Sequence, residues 1–199
     1  MKKCSIGIFV TDLYIRRYMK ILFHTCCSPC ACEPIQELQN QGFEVTLFFD
    51  NPNIQPKEEY DARLVELKKY LQIIPEVKII EGKYDVLKWL EKTKGLENEP
   101  ERGKRCDVCY EFRLRRTARK AKELGYEYFG SSLSISPHKK ASKISELGQR
   151  IAEEYGLKFL DRDWKKMGGF QRACQISKEH DFYRQNYCGC VFSKSKIKN

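Results

Sequence analysis

Five short apolar runs, each but the last followed by a stretch with helical spacing, restrict this chain more than any other feature. The runs are MKILFH (19–24), FEVTLFF (43–49), EVKIIEG (76–82), YEYFGSSL (126–133) and LKFLD (157–161). Between them lie PCACEPIQELQNQG (29–42), PKEEYDARLVELKKYLQII (56–74), YDVLKWLEKTKGL (84–96), CDVCYEFRLRRTARKAKELG (106–125) and KKASKISELGQRIAEEYG (139–156). In the second of these Tyr60, Leu64, Leu67 and Leu71 recur at the three-to-four-residue interval of one helix face. Gly42 and Gly125 stand where helices should stop. Apolar runs alternating with helices predict a parallel sheet covered on both faces, a three-layer α/β fold. The charged segment 97–105 is expected to be a mobile loop.

In such sheets ligands sit beyond the C-terminal strand ends, near the point where strand order reverses. The segments following the runs, His24 to Cys27, Asp50 to Asn53, Ser131 to Ser136 and Asp161 to Asp163, should therefore share one rim. Of 199 residues, 1–18 read as an N-terminal extension and 19–199 as a single domain with a cysteine-rich C-terminal segment. The opening stretch is basic, but Asp12, Arg16 and Arg17 break its apolar run and no small-residue cleavage pattern follows, so no signal peptide is expected. No run approaches the ~20 apolar residues that span a bilayer. A cytoplasmic, reducing setting follows as the expectation.

There the ten cysteines point to metal binding or redox chemistry rather than to structural disulfides. Three groups stand out: Cys26, Cys27 and Cys30 in HTCCSPC; Cys106 and Cys109 in RCDVC; Cys188 and Cys190 in CGC. None holds a metal fully alone, but together they supply seven thiolates. Cys106 and Cys109 sit where a helix begins, and its free N–H groups and positive dipole end favour thiolates. Adjacent Cys26 and Cys27 turn poorly toward one small zinc ion but can reach separate corners of an iron–sulfur cube. Spacing alone leaves zinc and a cluster both open. Cys188 and Cys190 can chelate one metal ion or close a strained, redox-labile disulfide, with Gly189 removing the side chain that would crowd either. Cys4, Cys32 and Cys174 look dispensable.

Charge divides unevenly. Residues 1–100 carry 14 Lys/Arg against 15 Asp/Glu, and residues 101–199 carry 23 against 12. A one-sided excess suits a polyanionic partner. In RLRRTARKAK an apolar stripe of Leu114, Ala118 and Ala121 would leave two basic rows exposed, one of them Arg113, Arg116 and Lys120. Lys139, Lys140 and Lys143 follow the fourth run, and Arg184 lies beside the CGC pair; Tyr183 and Tyr187 are candidates to stack on a splayed base.

HTCCSPC, RCDVCYEFRLRRTA, SSLSISPHK and YRQNYCGC, in this order, resemble the QueH family of epoxyqueuosine reductases from about Met19 to the C-terminus. The resemblance implies a fold of the nucleotide α-hydrolase (HUP-like) type, with HTCCSPC in the place of a phosphate-binding loop. It implies reductive removal of the epoxide oxygen of epoxyqueuosine at the wobble position of tRNA, the last step of queuosine biosynthesis. It also implies a 4Fe–4S cluster on Cys26, Cys27, Cys106 and Cys109. Cys188 and Cys190 would then be redox-active or hold an additional mononuclear iron, with Cys30 beside them and electrons from an external donor. Asp163 is a candidate hard ligand or proton donor, and His24 a second proton donor. Competing readings are a zinc-stabilised RNA-binding module without catalysis, a thiol–disulfide oxidoreductase using Cys27 and Cys30, and an ATP-using tRNA-modifying enzyme, whose glycine-rich phosphate loop is missing.

Overall fold

The computed structural model describes residues 19–194; the proposed extension 1–18, with Cys4, and residues 195–199 lie outside that range. Five strands form one sheet: β1 (Met19–His24), β2 (Phe43–Phe49), β3 (Lys78–Glu81), β4 (Tyr128–Ser131) and β5 (Lys158–Phe159). Their order is β3-β2-β1-β4-β5 and every pairing is parallel. All five coincide with the apolar runs. The order reverses between β1 and β4, so the crevice at their C-terminal ends is the default ligand position. HTCCSPC leaves β1 and SSLSISPHK leaves β4, and the two flank that crevice.

The intervening helices are α1 (Ser28–Asn40), α2 (Lys57–Leu71), α3 (Val86–Thr93), α4 (Lys104–Glu123) and α5 (Ala141–Tyr155). Side-chain alternation along the strands divides the core in two. Ile21, Phe23, Val45, Leu47 and Phe49 face one layer, packing on Ile35 and Leu38 of α1 and Leu64 and Leu67 of α2. Leu22, Phe48 and Phe129 face the other, against Leu114, Ala118 and Ala121 of α4 and Ile144, Leu147 and Ile151 of α5. The stripe expected on α4 is thus its buried face.

Two further helices, α6 (Gly169–Glu179) and α7 (Val191–Lys194), complete the described residues. The sequence reading missed α6. It lies on α1, with Ala173 and Ile176 in the first core layer. The entry to α6 is tight: a Cβ on Gly169 would lie 2.0 Å from the Trp164 carbonyl oxygen. Trp164 is buried there, edge-on to Phe23 with ring centroids 5.6 Å apart, and its indole donates to the Ser131 carbonyl at 2.9 Å.

The segment before α4 is not the free loop its composition suggests. The buried Arg105 guanidinium donates from Nη1 to the carbonyls of Leu96, Glu97 and Glu99 at 3.0, 2.8 and 2.6 Å. One arginine replaces the water those carbonyls would otherwise need, and it holds the segment against the fold.

Candidate thiol-lined active site

The chain leaves β1 through Thr25, bends at Cys26 and enters α1 with Cys27 as an extended N-cap residue. At that bend adjacent Cys26 and Cys27, expected to turn poorly toward one small ion, lie side by side. The Cys26 and Cys27 sulfurs are 3.8 Å apart, and with Cys30, one turn into α1, all three lie within 4.8 Å of one another. A regular strand would send neighbouring side chains to opposite faces; the strand-to-helix corner does not.

The second and third groups meet on the other side of the crevice. Cys106 and Cys109, at the start of α4, line one chamber with Cys188, Cys190, Asn53, Trp89, Arg105 and Arg113. A neighbouring cavity of about 200 Å³ is lined by Cys26, Cys30, Cys188, Arg63, His138, Lys139, Gln185 and Tyr187. The two share Cys188, Lys139 and Glu101. Gln185 Nε2 adds a contact to Cys27 Sγ at 3.0 Å. Six of the seven thiols singled out above therefore line the two joined cavities, and Cys27 lies directly behind them, against Cys26, Cys30 and Gln185. Cys188 and Cys190 are both free thiols.

A buried arginine anchors the CGC segment. Arg63, on the inner face of α2, donates to the Tyr187 carbonyl at 3.0 Å and the Cys188 carbonyl at 3.4 Å, while Glu59 accepts from its Nε at 2.7 Å. Gln55 N–H donates to Gly189 O at 2.8 Å, and Tyr187 Oη to Gln55 O at 2.6 Å. Gly189 itself has φ of +98°, and a Cβ there would sit 2.7 Å from Ile54 Cγ1. Glycine is required twice over, by conformation and by space. Beyond it, Phe192 stacks on Trp89 at 6.0 Å, and Ser193 Oγ lies 3.1 Å from Cys188 Sγ.

Electrostatically the site favours a thiolate at two positions, Cys26 and Cys188, and raises the thiols of Cys27, Cys30, Cys106 and Cys190. Hydrogen bonds from Cys27 and Cys30 hold the Cys26 thiol well below its ordinary pKa against the opposing effect of burial, with Lys139 and Arg63 adding to the shift. Cys190 does the same for Cys188, again with Lys139 contributing. Burial and then Cys26 push Cys27 up to about 12, and Cys26 and Cys27 push Cys30 up. Burial works against the Lys139 ammonium, but Cys26, Cys188 and Cys30 outweigh it and raise its pKa. Arg113, buried among Cys109, Cys26 and Cys188, is likewise held charged. Three cations thus offset a nest of sulfurs.

Other expected site residues fall elsewhere. Arg113 is buried and donates to the Cys109 carbonyl at 3.3 Å, so it cannot belong to an exposed basic row. Arg116 is committed to the fully buried Asp50, bonding Oδ1 at 2.7 Å and also Oδ2. Lys120 pairs with Glu123 at 3.3 Å. The α4 basic rows are largely consumed by intramolecular partners, because a helix spanning a doubly covered sheet has only a narrow solvent face. Asp163 accepts from Lys165 Nζ at 2.8 Å and lines a different cavity, with Lys139 and Lys140. His24 is fully buried, its Nδ1 3.1 Å from Ser131 Oγ. Burial, and then Arg113, lower its pKa to about 3, so at neutral pH it is a neutral imidazole and not an imidazolium acid. Arg184 is exposed beside Cys174. Tyr183 donates to Glu59 at 2.9 Å, and Tyr187 holds the CGC segment; both hydroxyls serve structure. Cys32 is a buried helix residue, as expected of a filler.

Sequence reading missed Arg63, Trp89, Arg105 and Gln185. Arg63 left a trace: it falls on the helix face marked by Tyr60, Leu64, Leu67 and Leu71, where an unpaired charge has no business.

The fit to a cluster can be tested on the site's own atoms. Trp89 Nε1 and Arg105 Nε are buried with no hydrogen-bond partner, and both residues line the chamber with four cysteines. Buried N–H groups are rarely left unpaired. Sulfur acceptors, whether metal-bound thiolate or inorganic sulfide, would satisfy them, so the chamber fits a sulfur-rich metal centre.

Fold and site together define an α/β protein whose phosphate-loop position is occupied by thiols. A solved structure, a predicted subunit of tRNA methyltransferase from Methanocaldococcus jannaschii, shares that fold with a TM-score of 0.53 at 14% identity, over 81% of this chain and 74% of its own. The family model for epoxyqueuosine reductase QueH matches residues 21–196, and the chain belongs to that family. Curated relatives described as epoxyqueuosine reductase QueH include those of Acinetobacter baylyi, 42% identical over 87% of this chain and 80% of the relative; Streptococcus pyogenes, 40% over 87% and 69%; and Thermotoga maritima, 38% over 87% and 89%.

Proposed function

We propose that this chain reduces epoxyqueuosine to queuosine in the anticodon of tRNA, as a cytoplasmic, iron–sulfur-dependent oxidoreductase whose catalytic domain is 19–199. The reaction converts an epoxide to an alkene, consumes two electrons and two protons, and releases the oxygen as water. The observation that carries this reading is the convergence of seven cysteines on the crevice between β1 and β4, in a chain of this family.

Cys26, Cys27, Cys106 and Cys109 would hold the 4Fe–4S cluster, and Cys188 and Cys190 would form a redox pair or hold an additional iron. When bound, the cluster supplies single electrons drawn from an external donor. The protein's own groups do the rest. Cys188 lines both cavities and stands between the metal-binding thiols and the space for substrate. Lys139, facing the same space, stabilises charge developing on the epoxide oxygen and delivers a proton to it; this role was expected of Asp163 or His24. Arg63, Gln185 and Tyr187 keep the CGC segment and cavity wall in register. No described helix is long and apolar enough to cross a membrane, and no step of the reaction asks for one.

Oxygen-free purification followed by iron, sulfide and zinc analysis, with an absorption spectrum, tests the proposal. About four irons and four sulfides per chain, and turnover of epoxyqueuosine-containing tRNA, are expected for the cluster. Colourless protein carrying one zinc would instead establish the RNA-binding module. Cys188→Ser should abolish turnover while the cluster absorbance persists; loss of the absorbance would reassign Cys188 as a ligand.

A further inference from the structure

We infer that the substrate's sugar–phosphate backbone docks in a basic cavity beside the thiol site, formed by the link into α5 and the link between β5 and α6. This inference rests on the reading that the substrate is a tRNA. The cavity, of about 870 Å³, is lined by Arg102, Lys139, Lys140, Arg162, Lys165 and Lys166, with Asp161 and Asp163 as its only acidic side chains among the described residues.

Those two carboxylates are already occupied. Asp163 pairs with Lys165, and Asp161 accepts from Gln149 at 2.8 Å and from Ser145. Arg162 is shared with Glu37. Lys140, Lys166 and Arg102 form no ion pair among the described residues, and Lys140 and Lys166 are exposed. This concentration of uncompensated positive charge contrasts with α4, where Arg115, Arg116, Arg119 and Lys120 all face carboxylates. The first turn of α5 also opens on the cavity through Ala141 and Ser142, and no side chain caps it, which adds a positive helix end to the same space.

Lys139 decides what kind of polyanion fits. It lines the basic cavity, the cysteine chamber and the cavity holding Cys26, Cys30 and Cys188. A chain of phosphates lying over Lys140, Lys165 and Lys166 would pass Lys139 at the mouth of the reaction space. A base splayed from that backbone has the thiol cavity directly beside it. Met167, 85% exposed at the cavity rim, offers an apolar side chain to the neighbouring nucleotide. The phosphate surface is therefore the Lys139–Lys166 cavity and not the α4 rows suggested by composition.

The test uses full-length protein with an RNA anticodon stem–loop, measured by fluorescence anisotropy across a salt series. Lys140→Glu with Lys166→Glu should weaken binding at least tenfold near physiological salt. It should also lower the slope of log affinity against log salt by about one to two. Arg119→Glu, on exposed α4, should change affinity less than twofold. With tRNA substrate the groove variant should raise KM about tenfold and keep kcat at saturation within twofold, which a misfolded enzyme would not do. Lys140→Gln with Lys166→Gln should show an intermediate loss. Groove variants that bind like wild type, or an equal loss in Arg119→Glu, would overturn the inference while leaving the reductase reading intact. Wild-type protein with no salt-dependent RNA binding would overturn both.

Discussion

Replacing Gly189 by alanine separates two penalties that the structure assigns to one residue. Its φ of +98° places a side chain in the left-handed half of backbone space, which costs roughly 1–2 kcal/mol for an L-residue. The added Cβ would also stand 2.7 Å from Ile54 Cγ1 and 3.2 Å from Ile54 Cα, and overpacking of that kind costs about 1–3 kcal/mol. The sum is about 2–5 kcal/mol. Gly42 provides the control: its φ is +84° but nothing lies within 4 Å of a Cβ placed there, so Gly42→Ala should cost only the conformational part. Urea unfolding of metal-free, fully reduced chain gives both values, because bound metal would break two-state behaviour. Gly189→Ala should exceed Gly42→Ala by about 1–3 kcal/mol. It should also bind less iron after reconstitution, since relief of the contact moves the CGC segment that Arg63 and Gln55 hold. Equal destabilisation by the two variants, with equal iron loading, would refute the claim that Gly189 is packed in place to position Cys188 and Cys190.

Arg63→Met should destabilise the chain by about 3–5 kcal/mol by stranding Glu59 and two carbonyls; adding Glu59→Leu should recover a good part of that, read from urea midpoints. Trp164→Phe keeps the ring against Phe23 but strands the Ser131 carbonyl, with an expected loss of about 1–3 kcal/mol by the same measurement. If cluster sulfur accepts from Trp89 Nε1, Trp89→Phe should lower the cluster reduction potential. One net hydrogen bond of about 0.5–1.5 kcal/mol corresponds to roughly 20–65 mV for one electron. Protein-film voltammetry would show the shift, and an unchanged potential would leave the orphaned indole unexplained.

Local pattern was enough wherever one residue's neighbours along the chain decide its state. The five apolar runs became β1 to β5, and the stripe of Leu114, Ala118 and Ala121 became the buried face of α4. Helix α6 escaped notice because Gly168 and Gly169 open it and its buried face, Gly169, Ala173, Ile176 and Ser177, carries only one large apolar side chain; packing on α1 rather than propensity makes it a helix. The segment before α4 is charged and looks like solvent-exposed loop, yet Arg105 turns inward to bind its carbonyls, a contact that no local pattern encodes.

By itself the sequence determined a parallel α/β layering and an edge at which its cysteine groups should gather, because strand period, helix period and the position of each thiol after its strand are local properties. Tertiary structure alone decided which charges were free to meet a ligand. Arg113 and Arg116 were drawn inward to thiolates and to Asp50, while Lys140 and Lys166 were left facing solvent. A cation's partner is set by distances between segments far apart in the chain, and those distances exist only once the sheet has closed its two layers around β1 and β4.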